Sequence, residues 1–384
     1  MDQTSPLHSI QDDAEATFMP YGPAEAGVRV VESFSSFEAE YAAVRKGVGL
    51  FDMPQRGVVM VSGADRLDFL HRFVTNDTNG LVPGQGRQAF LLNRQGRISA
   101  DLIVLAADDT VLLDLDVFGA QDVSDELERF VFTEDVQLHN ATDQWAHQAL
   151  HGPAAAALLA AVAPAFDASK LEMLGPLSHL RMPIERYDCV VYRRDETGAP
   201  GFHLIVPRQG AAAVYGVLVE ALGGLVPAVE GGLKRAITGR GIGWLAYNTA
   251  RIEAGTPIFH VDFGPDSLPH ETGILDHAVS FTKGCYLGQE VVARMQSLGH
   301  PKRVLVGLKC EGDTLPVAGA GVLAAGDTNT VIGAVTSSTL APLLGGTAIA
   351  LAMIKWGQHK VGTAVLVQAE GRRVGAKVQG LGFI

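Results

Sequence analysis

Residues 282–295 read "TKGCYLGQEVVARM" and place Cys285 between two glycines. Apolar residues recur at helical spacing after Gly288: Val291, Met295 and Leu298. This spacing predicts an amphipathic helix, so that Cys285 lies just before the end where unpaired N–H groups and the helix dipole favour a thiolate. Lys283 adds a positive charge nearby. Two interpretations stay open: a reactive thiol, or a small apolar residue packed in a turn.

A second group of residues with chemical potential lies in "NTARIEAGTPIFHVDF", residues 248–263. We expect Arg251 and Glu253 to point to opposite faces of a strand that ends at residues 255–257. Arg251 has the planar donor set that holds a ligand carboxylate, and Glu253 can pair with a base or an amine. An ion pair inside the fold explains the same residues equally well.

The third group is "LLNRQGRISADLIVL", where Asp101 follows a turn and begins the apolar run of residues 102–105. The carboxylate is therefore expected at a strand edge, where aspartate usually serves as a cap or turn residue. His270 and His277 are close in sequence, but their spacing does not fit the helical metal motifs, and no local signature of a cysteine hydrolase is present. No metal site is predicted.

Composition excludes several classes of function. The formal net charge of -12 over 384 residues opposes general binding to nucleic acid or anionic lipid. Three cysteines at irregular spacing do not form a disulfide framework, so a reducing compartment is expected. The amino terminus carries acidic residues and no apolar run, and the longest apolar stretches are too short to span a bilayer. We expect a cytoplasmic protein with no membrane association.

The elements that would position these residues follow a repeated pattern of strand, turn and helix. It occurs in "GVVMVSGADRLDFLHRF", "HQALHGPAAAALLAAV" and "GFHLIVPRQGAAAVYGVLVEAL". Without a run of βαβ signals, the pattern favours an α+β fold with helices on one face of each sheet, and a doubly wound sheet is the weaker alternative. After His300-Pro301 the sequence turns to short β-rich runs, which predict a small β-barrel or sandwich. The expected organisation is a poorly ordered tail at 1–26, a domain at 27–300 and a barrel at 301–384.

Two motifs add a resemblance to a known family. "RIEAG" with a following proline, and "KGCYLGQE" some thirty residues later, resemble the folate-binding superfamily of the glycine-cleavage T-protein, an aminomethyltransferase. The octapeptide specifically resembles the branch that assists iron–sulfur cluster assembly and repair and is also described as tRNA-modifying. The resemblance extends along most of the chain, from "GLFDMPQRGVVMVSGADRLDFLHRFVTND" to the final barrel.

The resemblance implies three small α+β subdomains around a central pocket that holds tetrahydrofolate. It implies that Asp101 activates the amine during one-carbon transfer, that Arg251 contacts folate and that Cys285 marks the iron–sulfur branch. Further folate contacts are expected from Glu253, Lys283 and Tyr286.

One motif of the T-protein is missing. The T-protein has an acidic stretch whose glutamate contacts the pterin, but Ala199 and Pro200 occupy that place here. Glu196 can substitute only if the loop is reshaped. Alanine cannot make the bidentate contact of a carboxylate, which argues against unmodified aminomethyl transfer.

Two functions are therefore expected. The first is a tetrahydrofolate-binding protein that supports iron–sulfur proteins or their assembly factors, with Cys285 working at the pocket. The alternative is a tetrahydrofolate-dependent aminomethyltransferase or methyltransferase, in which Asp101 orients the amine and the folate carries out the carbon chemistry. A third interpretation is a protein with the folate-binding fold that binds no ligand.

Overall fold

The computed structural model describes residues 5–223, 225–226, 235–236 and 239–384. The chain forms two compact units. Unit 1 holds the chain up to Arg66 together with Leu81–Arg87 and Ile103–Tyr247. Unit 2 holds Leu67–Gly80, Gln88–Leu102 and Asn248–Ile384.

The helices and strands are numbered in chain order. The α-helices are α1 His8–Asp13, α2 Phe37–Lys46, α3 Arg66–His71, α4 Ala120–Glu128, α5 Ala155–Val162, α6 Ser169–Glu172, α7 Ala211–Leu222, α8 Trp244–Ala254, α9 Leu275–Ala278 and α10 Gln289–Leu298. Short 3₁₀ helices lie at Ala24–Ala26, Val117–Gly119, Thr142–Gln144, Arg208–Gly210, Pro269–Glu271 and Pro342–Leu344. The first twelve strands are β1 Thr17–Pro20, β2 Arg29–Ser33, β3 Val48–Asp52, β4 Arg56–Ser62, β5 Gln85–Leu92, β6 Ile98–Ala106, β7 Thr110–Asp116, β8 Gln137–Asn140, β9 Trp145–His151, β10 His179–Ile184, β11 Tyr187–Arg193 and β12 Gly201–Pro207. The others are β13 Leu225–Val226, β14 Arg235–Ala236, β15 Gly239–Gly241, β16 Arg303–Cys310, β17 Gly321–Ala324, β18 Asp327–Ala341, β19 Thr347–Lys355, β20 Ala364–Ala369 and β21 Arg372–Gln379.

A six-stranded sheet in the order β10-β11-β12-β9-β3-β15 forms the centre of unit 1. Its pairs are antiparallel except β15 with β3, which is parallel. Helices α5 and α7 cover one face, where Leu150, Phe202 and Leu204 pack against their apolar residues. The strand-turn-helix units predicted from sequence are confirmed at β4–α3, β9–α5 and β12–α7.

A second sheet, in the order β5-β6-β7-β4-β8, packs against the opposite face of the first. On its side Val58 and Leu112 contribute to the shared apolar layer, and Tyr192 and Ile205 contribute from the six-stranded sheet. Strand alternation explains this arrangement, because successive side chains of β12 point to the two different faces. One face of the six-stranded sheet is therefore covered by helices and the other by a sheet.

The amino-terminal segment differs from the predicted disordered tail. Residues 5–26 include α1 and β1, and β1 pairs with β2 in antiparallel fashion. Leu7 is fully buried in the core of unit 1, and Ser5 and Gln11 donate hydrogen bonds to Asp52. These contacts order a segment whose polar composition had predicted disorder.

Unit 2 contains the predicted barrel. Strands β16-β19-β18-β17-β20-β21 close into a six-stranded barrel, which confirms the β-barrel prediction. Its interior is apolar, with Leu308, Ala350 and Val367 fully buried. A second core of the same unit joins Phe90 and Ile252 to Leu351 of the barrel.

The segment that carries Arg251 is a helix, so the strand predicted there is wrong. Helix α8 ends before Gly255, whose φ of +75° favours glycine. A Cβ atom at this position would lie 2.2 Å from the carbonyl carbon of Leu381. The helix therefore stops where the backbone of the carboxyl terminus crosses it. None of the helices described is long and apolar enough to cross a membrane.

Candidate functional site

Cys285 lies in the loop that leads into α10, as the sequence predicts. The helix starts after Gly288, which has a φ of +80°. A Cβ atom at Gly288 would lie 2.7 Å from the carbonyl oxygen of Asn93, so only glycine lets this loop pack closely on the turn after β5. Cys285 is exposed, whereas Cys189 and Cys310 are buried.

The apolar stripe predicted for α10 is wrong in detail. Val292 is the buried residue of the helix, and Leu298 is 85% exposed. The helix is held through Val292 in the core and through Val291, which lies against Gly96. The tight turn at Gly96, invisible to a periodicity argument, sets which face is buried.

Lys283 anchors the Cys285 loop. Its ammonium group donates to the carbonyl oxygen of His71 and, at 2.6 Å, to that of Val74. It also lies 4.9 Å from the ring centroid of Tyr286. Burial lowers the pKa of Lys283 to about 8. The sequence predicts that the positive charge of Lys283 stabilises the thiolate of Cys285. In the structure the ammonium group instead binds backbone carbonyl oxygens of residues 71–74.

A histidine that the sequence did not single out lies beside this loop. Nδ1 of His71 is 3.1 Å from Oδ1 of Asp77. Burial, followed by the charge of Lys283, lowers the pKa of His71. A Cβ atom at Gly284 would lie 3.7 Å from Nε2 of His71, so the imidazole edge lies near the backbone next to Cys285. His71 is therefore an imidazole beside the Cys285 loop, with Asp77 on its Nδ1 side.

Asp101 lies inside β6 rather than at a strand edge, and its side chain is half-buried. Nε2 of Gln88 donates to both of its carboxylate oxygens, at 2.8 and 3.1 Å. The carbonyl oxygens of Gln88 and His277 accept hydrogen bonds from Nδ2 of Asn76. Asp101 is therefore tied, through neighbouring residues of unit 2, to the segment that precedes the Cys285 loop.

Arg251 is completely buried in unit 2 and forms an ion pair with Asp262. Its Nε donates at 2.8 Å to Asn248, and its Nη1 donates at 3.2 Å to the carbonyl oxygen of Thr256. The sequence left two interpretations of Arg251 open, a ligand contact and an internal ion pair, and these contacts are those of an internal ion pair. Its role as a folate contact stays a prediction.

Glu253 and Tyr286 are buried as well. A carboxylate oxygen of Glu253 accepts a hydrogen bond from the backbone N–H of Leu343 at 3.3 Å. Tyr286 is 7% exposed, and burial raises its pKa to about 12. The folate contacts expected of Glu253 and Tyr286 stay predictions.

Unit 1 contains a buried polar cluster that sequence reasoning missed. We define it by nine side chains: Arg56, Asp114, His147, His151, Tyr192, Arg194, Glu196, His203 and Tyr247. His147 and His151 lie four residues apart in β9, which places both on one face of the strand. That spacing, with the histidine of β12, is the signal that could have found the cluster.

Asp114 is the acidic centre of one end of the polar cluster. It accepts hydrogen bonds from Arg56, at 2.8 Å, and from the hydroxyl group of Tyr192. Nε2 of His147 lies 3.4 Å away. Burial alone would raise the pKa of Asp114, but Arg56 and His147 outweigh it and hold the pKa below its usual value.

Glu196 is the acidic centre of the other end. Nε of Arg194 lies 3.0 Å from its carboxylate, and the hydroxyl group of Tyr247 donates to it at 2.9 Å. Burial opposes ionisation, but the positive charge of Arg194 prevails and holds the pKa of Glu196 well below its usual value. Glu196 is thus an ionised, internally paired carboxylate, rather than one free to replace the side chain missing at Ala199.

A cavity of about 490 Å³ opens beside the Asp114 end of the cluster in unit 1. Arg56, Trp145, His147 and Arg208 are among its lining residues. Its size suits a small molecule, and its walls combine an aromatic ring with cationic groups.

An α+β chain with a closed six-stranded barrel at its end is the architecture of the glycine cleavage T-proteins. The family model "GCVT N-terminal domain" matches residues 7–283, and "Glycine cleavage T-protein C-terminal barrel domain" matches residues 303–384. The chain belongs to this family. The second match covers the barrel described above.

Known relatives match this chain along nearly its full length. The chain is 31% identical to an aminomethyltransferase of Exiguobacterium sibiricum over 353 residues, which covers 92% of this chain and 90% of that protein. It is 31% identical to an aminomethyltransferase of Chlorobium phaeovibrioides, covering 100% of this chain and 99% of the relative. The crystal structure of the glycine cleavage system aminomethyltransferase T from Bartonella henselae superposes with a TM-score of 0.85 at 26% identity, over 100% of this chain and 98% of that one.

Proposed function

We propose that this protein is a tetrahydrofolate-dependent transferase of the aminomethyltransferase type, and that Asp101 holds the amine of the substrate. The observation that carries the proposal is the half-buried carboxylate of Asp101, fixed by Gln88 through both oxygens. A fixed carboxylate can bind and orient an ammonium group at little entropic cost. The relatives named aminomethyltransferase, matched over nearly the whole chain, support the same class of reaction.

The residues present fit tetrahydrofolate only in part. Asp101 offers a carboxylate that is suited to an amine, and tetrahydrofolate, when bound, supplies nitrogen atoms that accept a one-carbon unit. The guanidinium group of Arg251 is already paired with Asp262, and Glu196 is paired with Arg194. We therefore assign to this chain the binding and orientation of the amine at Asp101, and we derive no step through Arg251 or Glu196.

The Asp101→Asn variant tests this proposal, with Asp109→Asn, at an exposed aspartate of unit 1, as the matched control. Asparagine keeps the size of the side chain but loses its charge. We expect calorimetric titration to show similar tetrahydrofolate affinity for all three proteins, and folate-coupled release of ammonia from an aminomethyl donor to be lost only in Asp101→Asn. Normal turnover in Asp101→Asn would remove its catalytic role. Absence of tetrahydrofolate binding by the unmodified protein would overturn the proposal as a whole.

A second proposal concerns Cys285 and the iron–sulfur role. Its support is the exposed thiol in the octapeptide loop, anchored by Lys283 and next to the His71 imidazole. We propose that this thiol acts in support of iron–sulfur proteins. Replacing the chain in cells by a Cys285→Ser variant, with Cys310→Ser as the control, should then lower the activity of iron–sulfur enzymes. Equal activity with both variants would count against this role.

A further inference from the structure

Three side chains able to bind a metal converge inside the buried polar cluster. His151 and His203 come from the neighbouring strands β9 and β12, and Glu196 comes from the loop between β11 and β12. One ligand atom of each lies within 4.8 Å of the others. All three side chains are buried, at 0%, 0% and 6% exposure. His151 lies 45 positions before Glu196, so strand pairing rather than a local motif brings it to the other two side chains.

The ring nitrogens of the two histidines have few partners. Neither nitrogen of His151, and neither of His203, makes a hydrogen bond with the described residues. Nε2 of His203 is 3.2 Å from a carboxylate oxygen of Glu196, which is its polar neighbour in the cluster. Buried polar atoms in folded proteins are nearly always paired, so buried imidazole nitrogens gathered around one carboxylate are positioned to bind a ligand.

We propose that His151, Glu196 and His203 form a binding site for a divalent transition metal, with zinc as the ion best suited to the ligands. Two imidazoles and one carboxylate are a common zinc ligand set, whereas magnesium and calcium prefer sites made of oxygen alone. The ligand atoms must draw together to about 2.0–2.2 Å from the ion, which small side-chain movements achieve. The ion competes with Arg194 for Glu196, which sets the affinity below that of a site without a neighbouring cation.

The test uses the full-length protein, freed of metal by a chelator and dialysed against zinc. We expect one zinc ion per chain by elemental analysis, and visible d–d absorption of four-coordinate cobalt when Co²⁺ replaces zinc. His151→Gln and His203→Gln should each weaken zinc binding by more than about 100-fold, since the loss of a direct ligand exceeds the effect of an outer-shell change. His147→Gln is the matched control, because His147 is a buried histidine of β9 outside the three-residue set.

The outcomes are separable. Folded, chelator-treated protein that takes up neither zinc nor cobalt overturns the proposal, whether or not the variants fold. Equal loss of binding in His147→Gln, or unchanged binding in both ligand variants, also overturns it. Bound metal rather than turnover is the readout, so the result does not depend on the transfer reaction proposed above.

Discussion

The guanidinium group of Arg251 and the carboxylate of Asp262 form an ion pair from which solvent is completely excluded. Asp262 also accepts hydrogen bonds from the hydroxyl groups of Thr336 and Ser337 in β18. Arg251 in helix α8 is therefore joined through one carboxylate to a strand of the barrel. Within unit 2 the pair links an arginine of the family motif to the carboxyl-terminal domain.

Arg251→Ala is expected to lower the free energy of unfolding by about 3–5 kcal/mol, because it leaves the buried carboxylate of Asp262 without its cation. Urea denaturation measures the effect. Arg181→Ala is the matched control, since Arg181 pairs with Asp188 at 2.7 Å on an exposed surface. The control should change stability by about 1 kcal/mol or less. Equal effects in the two variants would contradict a structural role for the Arg251 ion pair.

Asp52 gives a prediction about pH. Burial raises its pKa to about 6, although hydrogen bonds from Ser5 and Gln11 and the charge of Arg208 oppose the shift. Because the folded state favours the protonated acid, the stabilisation is complete below pH 4 and is lost as the pH rises through about 6. At pH 7 the ionised carboxylate lowers the free energy of unfolding by up to about 3 kcal/mol, because its pKa is raised by roughly two units.

Asp52→Asn should therefore remove this loss of stability between pH 4 and pH 7, because asparagine accepts the same hydrogen bonds without a charge. Thermal unfolding at both pH values measures the difference. Asp109→Asn, at an exposed position, should keep the pH dependence of the unmodified protein. If Asp52→Asn keeps it too, the shifted acid is another residue.

Sequence patterns were sufficient to predict those elements whose structure depends on the order of neighbouring residues. The strand-turn-helix pattern around β12, and the β-rich texture after residue 300, predicted strands and a barrel that the structure confirms. The strand assigned to Arg251 and Glu253 was wrong, because the β-branched and charged residues of α8 resemble an edge strand. Its helical state depends on packing, including Ile252 in the core of unit 2.

The buried polar cluster shows what sequence reasoning cannot reach. His151 faces His203 only because β9 pairs with β12 in a register that aligns Ala149 with His203. A shift of one residue would turn these side chains to the other face. The Cys285 loop is a mixed case: its position before a helix was predictable, but the anchoring of Lys283 on residues 71–74 needed the tertiary fold.

Gly288 should be hard to replace. Gly288→Ala is expected to destabilise the protein by more than about 2 kcal/mol, because it combines a positive φ with a Cβ atom 2.7 Å from the oxygen of Asn93. Gly319→Ala separates the two effects, since Gly319 has a φ of +85° and open space around it. The control should cost about 1 kcal/mol in chemical denaturation. Equal costs would show that the contact between the Cys285 loop and the turn at Asn93 is loose.

Cys285 should be the reactive thiol of this chain. It is exposed, whereas burial raises the pKa of Cys310 to about 11 and that of Cys189 to about 12, which leaves little thiolate at neutral pH. Peptide-resolved alkylation with iodoacetamide at about pH 7.5 should label Cys285 at least about 100-fold faster than either buried cysteine. The two buried cysteines serve as internal controls. Saturating tetrahydrofolate should slow the labelling if the thiol borders the folate pocket, and unchanged labelling would place the thiol outside it. Labelling of Cys285 no faster than that of Cys189 or Cys310 would show that the octapeptide cysteine is a packed structural residue.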